Sequence, residues 1–357
     1  MSVGLVRTSQ LDAFVAEVDR LGGLGTPAVK LHLSDFKLEL ETAVDVTLDP
    51  FSEAYFHQQT AVYREIAGRE LNQAEGERTP VDVAKHAAGC NPYCNPDIRF
   101  IARHARTIQT CLVIADLPPA ADVLDLGCGW GLSSETMAFA GARVTAVDIN
   151  PPFVDLVRRR AARLGLPIDV VESDFDSLED DRRYDLAVFY ECLHHSLRPW
   201  VTLERIGRLL KPGGRIVWAG EPVNRYWWPD WGLRLDQDSV YCMRKFGWWE
   251  SGWSVEFLTR CFARAGFAMT VFPEVGLDGT PIGFAVRTED AETVRPDLST
   301  VGPHRELAAC RREIKELHRH VAELQSSLSW RIASPVRAAG RIARRLRGRS
   351  PNGPSPA

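Results

Sequence analysis

One nine-residue stretch, VLDLGCGWG from Val123 to Gly131, constrains this chain more than any other part of it. Val123, Leu124 and Leu126 read as a short buried strand with Asp125 near its end. Gly127, Gly129 and Gly131 make a glycine-rich turn around Cys128, and the run from Leu132 to Ala140 reads as a helix. Strand, glycine turn and helix in that order let a backbone approach a nucleotide closely. The spacing is G-x-G-x-G, not the G-x-G-x-x-G of dinucleotide binders. The next strand, Arg143 to Val147, ends in Asp148, about 20 residues past the first glycine. A carboxylate at that point takes ribose hydroxyls in this topology.

Four further segments follow in order: VTAVDINPPFVDLVRRRA, VVESDFDSL, YDLAVFYECLHHSLRPW and LLKPGGRIVWAG. Together with the glycine stretch they resemble the successive motifs of class I S-adenosylmethionine-dependent methyltransferases, over residues 121–220. The resemblance implies an α/β, Rossmann-like sheet of mostly parallel strands with helices on both faces. It places S-adenosylmethionine over the carboxyl ends of the strands. The cofactor-binding residues it implies are Asp125, Gly127, Cys128, Gly129, Gly131, Asp148, Ile149, Asp174 and Phe175. In the family an acid at the place of Asp174 holds the adenine amino group, and the next apolar residue packs on the ring. The loop after the fourth strand, Glu191-Cys192-Leu193-His194-His195, is where the family places residues facing the methyl group. An oxygen acceptor must lose a proton, and histidine titrates near neutrality. His195 is the first candidate for general base and His194 the second; Glu191 either orients a histidine or binds the acceptor. The competing reading is that one histidine caps the cofactor loop structurally.

Composition sets the remaining bounds. A chain 45% hydrophobic and 25% charged is ordinary globular material, with length for about two domains. The formal net charge of −4 hides an asymmetry. Seven arginines and no acid lie between Arg331 and Arg349, so −4 less those seven leaves the rest near −11. An acidic body argues against a grip on nucleic acid. The eight cysteines are scattered and mostly sit in apolar runs, as in a reduced cytoplasmic protein. His86, Cys90 and Cys94 have metal-like spacing, but Pro92 intervenes and no second cluster follows, so no metal is expected. No signal peptide or membrane span is expected.

Residues 1–48 read as an accessory α+β segment: a helix from Ser9, capped by Ser9 with Asp12, then strands at Val29–Leu33, Phe36–Leu40 and Val44–Leu48. Residues 49–288 form the expected catalytic domain. Its helices 51–71 and 97–117 flank the cofactor in the family and offer Tyr55, Tyr63, Tyr93 and Arg99 as pocket candidates. From Trp218 to Trp253 lie seven of the ten tryptophans, mostly within an insert at 221–253. Aromatic faces interleaved with carboxylates and amides suit a sugar; the alternative is a lid whose tryptophans fill a core. Residues 289–303 read as a linker. Leu307, Cys310, Ile314, Leu317, Val321, Leu324 and Leu328 then step by three and four, the pattern of a parallel two-stranded coiled coil through 307–328. The rival reading is one helix docked on its own domain. Residues 330–349 form a basic amphipathic stretch that suits contact with an anionic membrane surface. It resembles the tail of enzymes of bacterial surface-polysaccharide synthesis. Residues 350–357 read as disordered. The sequence points to O-methylation of a sugar hydroxyl in a surface glycan or its lipid-linked precursor. Methylation of a lipid, quinone or polyketide, and an inactive cofactor-binding scaffold, stay open.

Overall fold

The computed structural model describes residues 4–224, 226–299, 313–314, 316–323 and 326. The chain divides at Gly302 into two compact units. The first begins with β1 (Leu5–Arg7), α1 (Leu11–Arg20), α2 (Pro27–His32) and β2 (Lys37–Glu39). Four helices follow: α3 (Glu53–Ala67), α4 (Gln73–Gly76), α5 (Val83–Ala88) and α6 (Ile98–Ala115). The alternating part is β3 (Asp122–Leu126), α7 (Leu132–Phe139), β4 (Arg143–Asp148), α8 (Pro151–Leu164), β5 (Ile168–Glu172), β6 (Tyr184–Tyr190), α9 (Pro199–Arg208) and β7 (Leu210–Ala219). An excursion through β8 (Trp231–Leu233), α10 (Gln237–Phe246) and β9 (Ser251–Trp253) precedes α11 (Val255–Arg264), β10 (Phe267–Phe272) and β11 (Ile282–Arg287).

Seven strands form one sheet in the order β10-β11-β7-β6-β3-β4-β5. The five from β3 to β7 are parallel, and β11 runs antiparallel to both its neighbours. Near-continuous apolar runs such as Leu186–Tyr190 suit strands covered on both faces. The two-residue period sends Leu124 and Leu126 into one core with Trp218 and Phe257, and Val123 into the other with Val217 and Ile108. Strand order reverses between β3 and β6, which opens a crevice at the carboxyl ends of the strands. The α/β architecture is thus the one the motifs imply.

The amino-terminal segment differs from expectation. Residues 27–32 are a helix, not a strand. Pro27 occupies its first turn and the Thr26 hydroxyl accepts from the Val29 N–H at 3.3 Å, a proline start and a side-chain cap. Val29 and Leu33, four apart, are buried while Leu31 is exposed, the helical reading of the same residues. Residues 37–39 are the strand expected from the alternation at 36–40, and it pairs in parallel with β1. No strand covers residues 44–48. Helix α1 starts at Leu11 with no side-chain cap from Ser9. This segment docks on the excursion: Asp12 pairs with Arg244 at 2.8 Å and Asp19 with Lys245 at 2.6 Å.

Four of the seven tryptophans from Trp218 to Trp253 fill a core, while Trp227, Trp228 and Trp248 are half-buried. Trp218, Trp231, Trp249 and Trp253 are each 2% exposed or less. Tyr55 and Tyr63 of α3 donate to the carbonyls of Trp231 and Gly247, so they tie the excursion down and do not enter the crevice. In the second unit, residues 313–314 and 316–323 are helical, with Ile314, Leu317 and Val321 exposed. Leu307, Cys310, Leu324, Leu328 and the basic stretch 330–349 lie outside the described residues. Among the described residues no helix is long and apolar enough to cross a membrane.

Candidate functional site

The glycine turn is built by its glycines. Gly127, Gly129 and Gly131 all have φ between +47° and +86°, where a side chain is strained. A Cβ on Gly127 would lie 2.6 Å from the Cys192 Cβ, so this turn closes directly on the loop after β6. Gly131 serves packing instead: its Cβ would strike Val157 of α8 at 2.8 Å.

Asp148, at the end of β4, lies beside this turn. Its Oδ2 accepts from the Gly129 N–H and its Oδ1 from the Asn150 N–H, both at 2.8 Å. Burial raises its pKa to about 6, against the pull of those two N–H groups. A pocket of about 710 Å³, counting its open mouth, spreads from here along the strand ends. Gly127, Asp148, Ile149, Asp174, Phe175 and His195 all line it. Asp174 keeps its place through Oδ1, which accepts the N–H groups of Asp176 and Ser177.

Other expected residues stand elsewhere. Asp125 is fully buried and does not line the pocket; its Oδ2 accepts from the hydroxyls of Ser133 and Ser134 at 2.7 and 2.5 Å. It fastens β3 to the start of α7. Cys128 is buried behind the turn. His194 points away from the pocket into a charged nest. Its Nδ1 meets Glu221 at 2.9 Å, and its Nε2 lies 3.7 Å from Glu250. Glu221, wholly buried, also accepts the N–H groups of Cys192, Leu193 and His194. That carboxylate shapes the histidine loop and holds His194 away from the pocket wall. Glu191 faces neither histidine: its Oε2 lies 3.4 Å from Nδ1 of His104 on α6.

His195 is the histidine on the pocket wall, and Glu77 is its partner, 3.3 Å from Nδ1. Burial disfavours the imidazolium, but the carboxylates of Glu77, Glu250 and Glu221 outweigh it and raise the pKa to about 9. Glu77 is fixed by the Trp249 N–H at 2.8 Å, and Ser251 donates to the His194 carbonyl at 2.6 Å. The excursion therefore supports the histidine loop from beneath. Among the described residues, His194, His195 and Glu250 are the one set whose donor atoms lie within 4.8 Å of one another, as a metal would need. Arg234, 3.3 Å from Glu250, already supplies a positive charge there. His86, Cys90 and Cys94 do not converge: His86 meets the Pro92 carbonyl and Cys94 donates to that of Lys85.

Sequence reasoning missed Gln73, Glu77, Phe153 and Thr202 on the pocket wall. Thr202 binds Asp176 at 2.9 Å and so braces the rim near Asp174. Gln73 and Glu77 come from a short helix and loop with no pattern of their own.

These residues fit S-adenosylmethionine: a glycine cradle, a buried carboxylate beside it for ribose hydroxyls, and an acid with an aromatic ring for adenine. Residues 123–214 match the family described as "Methyltransferase domain". The chain's curated relatives include a ubiquinone biosynthesis O-methyltransferase of Xanthomonas axonopodis pv. citri, 35% identical over 139 residues, 38% of this chain and 58% of that one. The enzyme of the same name from Proteus mirabilis is 32% identical over 108 residues, 30% of this chain and 44% of its own. The chain thus spans less than two thirds of the length of these relatives. Two solved structures are similar. One is a 1,6-didemethyltoxoflavin-N1-methyltransferase of Burkholderia thailandensis (23% identity, TM-score 0.41, 55% of this chain and 84% of that one). The other is a glycopeptide N-methyltransferase (15% identity, TM-score 0.42, 52% and 94%).

Proposed function

We propose that this protein is an O-methyltransferase that moves a methyl group from S-adenosylmethionine to a hydroxyl of a small-molecule acceptor. The observation that carries the proposal is the buried Asp148 carboxylate, held by two backbone N–H groups beside a glycine turn at the strand-order reversal. When bound, the cofactor supplies an electrophilic methyl carbon. Asp148 then accepts from the ribose hydroxyls, Asp174 and Phe175 hold the adenine, and Gly127 and Gly129 let the backbone approach closely. Much of the rate enhancement in such a displacement comes from orienting the acceptor. His195 takes the acceptor's proton in this reading, and Glu77 sets the pH at which it is free to do so.

The acceptor is proposed as a hydroxylated aromatic ring of the quinone-precursor type. The names of the relatives support that class. Four of the seven tryptophans from Trp218 to Trp253 are buried, which takes those rings out of any stacking on a sugar. The exposed Ile314, Leu317 and Val321 support a second proposal, a parallel dimer through the helix that carries them.

The test is calorimetric titration of the full chain with S-adenosylhomocysteine, followed by transfer of a labelled methyl group to 3,4-dihydroxybenzoate. Micromolar binding with transfer is expected. A folded protein that binds no S-adenosylhomocysteine overturns the reading, and binding without transfer to any acceptor favours the inactive cofactor-binding scaffold.

A further inference from the structure

Helix α6 packs on the sheet through His104, Ile108, Cys111 and Ala115, which are all buried. Along its outer side Ala102, Ala105, Gln109 and Leu112 step by three and four, with Val113 beside them. All five are exposed or half-buried. An outward helix face ordinarily carries charge. From Thr107 to Ala115 this helix carries none.

Two opposite charges bound that neutral stretch. Arg106 stands at one end of it and Asp116, which caps the helix, at the other; both are exposed. Their bonds run through the main chain: the Arg106 carbonyl accepts from the Thr110 hydroxyl at 2.8 Å, and the Asp116 carbonyl from Arg215 at 3.2 Å. Among the described residues neither the Arg106 guanidinium nor the Asp116 carboxylate forms an ion pair. Arg103, one turn earlier, is by contrast paired with Asp278 at 2.7 Å.

The face continues onto α7. Phe139, at the end of that helix, is 85% exposed. Beside it lies a cleft of about 600 Å³, counting its open mouth, walled by Leu112, Leu117, Pro118, Met137 and Ala140 among others. No charged side chain lines it. An exposed ring and an uncharged hollow thus share one surface, the kind of patch that marks a protein contact.

The charges identify what covers this patch. Arg106 and Asp116 are ten residues apart, about 15 Å along a helix axis. Two copies of α6 laid antiparallel, with a two-fold axis level with Cys111, set Arg106 of each copy against Asp116 of the other. The same register brings Gln109 of one to Val113 of the other. A parallel alignment would oppose like charges instead. Ring and hollow are self-complementary in the same way, because each copy can offer Phe139 to the cleft of the other.

We infer that the outer face of α6 and the end of α7 form an interface between two copies of this chain, in which α6 meets its mate antiparallel, Arg106 pairs with Asp116 across the two-fold axis, and Phe139 fills the cleft. This interface lies wholly on the first unit. It is separate from the helical seam of Ile314, Leu317 and Val321.

The test is sedimentation velocity on the full chain carrying Leu317→Glu and Val321→Glu, which takes the helical seam out of play. At micromolar concentration this chain is still a dimer. Adding Phe139→Asp raises its dissociation constant about tenfold or more, as for a ring at the centre of a contact. Arg106→Asp and Asp116→Arg each raise it about tenfold, because the two-fold axis repeats the change and attraction becomes repulsion. The Arg106→Asp, Asp116→Arg double variant restores it, since the exchanged charges again oppose one another. The three side chains are exposed, so each variant keeps the melting temperature of its parent. A monomer at that concentration overturns the inference and leaves the face to a partner other than this chain. Single reversals with an unchanged dissociation constant, or a double variant as weak as the singles, overturn it as well.

Discussion

Asp148 is expected to cost the fold stability for the sake of its ligand, and Asp148→Asn separates the two effects. In the unfolded chain this carboxyl ionises near 3.8; in the folded protein burial raises that to about 6. A raised carboxyl pKa means the folded state holds the proton more tightly. Stability therefore falls as pH rises from about 4 to about 6 and stays low above it. Two pKa units correspond to about 3 kcal/mol. Asparagine carries no charge at any pH. It keeps one acceptor oxygen, but its Nδ2 cannot accept the second backbone N–H, which costs about 1–3 kcal/mol at every pH. The stability of the variant relative to wild type in urea should therefore rise by about 3 kcal/mol between pH 4 and pH 7.5. Calorimetry on the same samples should show S-adenosylhomocysteine bound about 10- to 100-fold more weakly, the range for losing a charge-assisted hydrogen bond. A difference between variant and wild type that does not change from pH 4 to pH 7.5 would refute the burial argument. Undiminished affinity would refute the ribose assignment.

Three further outcomes follow from the same geometry. His195, with its pKa raised to about 9, is about 99% protonated at pH 7, so turnover should climb with pH toward about 9. The stability it contributes is present below about 6.5 and lost as pH rises through about 9. Glu77→Gln should move the rise in turnover toward neutral pH; a pH–rate profile with an unmoved limb removes His195 as the base. Arg160, wholly buried, pairs with Glu135 and donates to the carbonyls of His86 and Gly89 at 3.0 and 2.8 Å, which ties the last turn of α5 and the residue after it to α8. Arg160→Met leaves Glu135 without its partner and should cost about 3–5 kcal/mol in urea denaturation. Trp249→Ala should cost about 3–5 kcal/mol, since the side chain is completely buried; a loss under 1 kcal/mol would show that the excursion is not a packed core.

The parallel sheet, the glycine turn and Asp148 were legible because each is local. A buried strand followed by G-x-G-x-G leaves few ways to fold, and the next strand must carry its last residue to the same crevice. The strand-like alternation at Val29–Leu33 misled because residues two apart and residues four apart both fit Val29 and Leu33; the cap at Thr26 and Pro27 decided for the helix. The tryptophan-rich excursion was ambiguous for a similar reason, since composition does not say which side of a ring meets solvent. The pairings that tune the site are long-range. Glu77 reaches His195, Glu221 reaches His194, and His104 reaches Glu191 only when the sheet is assembled. The sequence by itself determined which strand ends carry the acids and glycines. Tertiary structure alone decided which histidine faces the pocket, because that depends on what packs against the loop after β6 from the far parts of the chain.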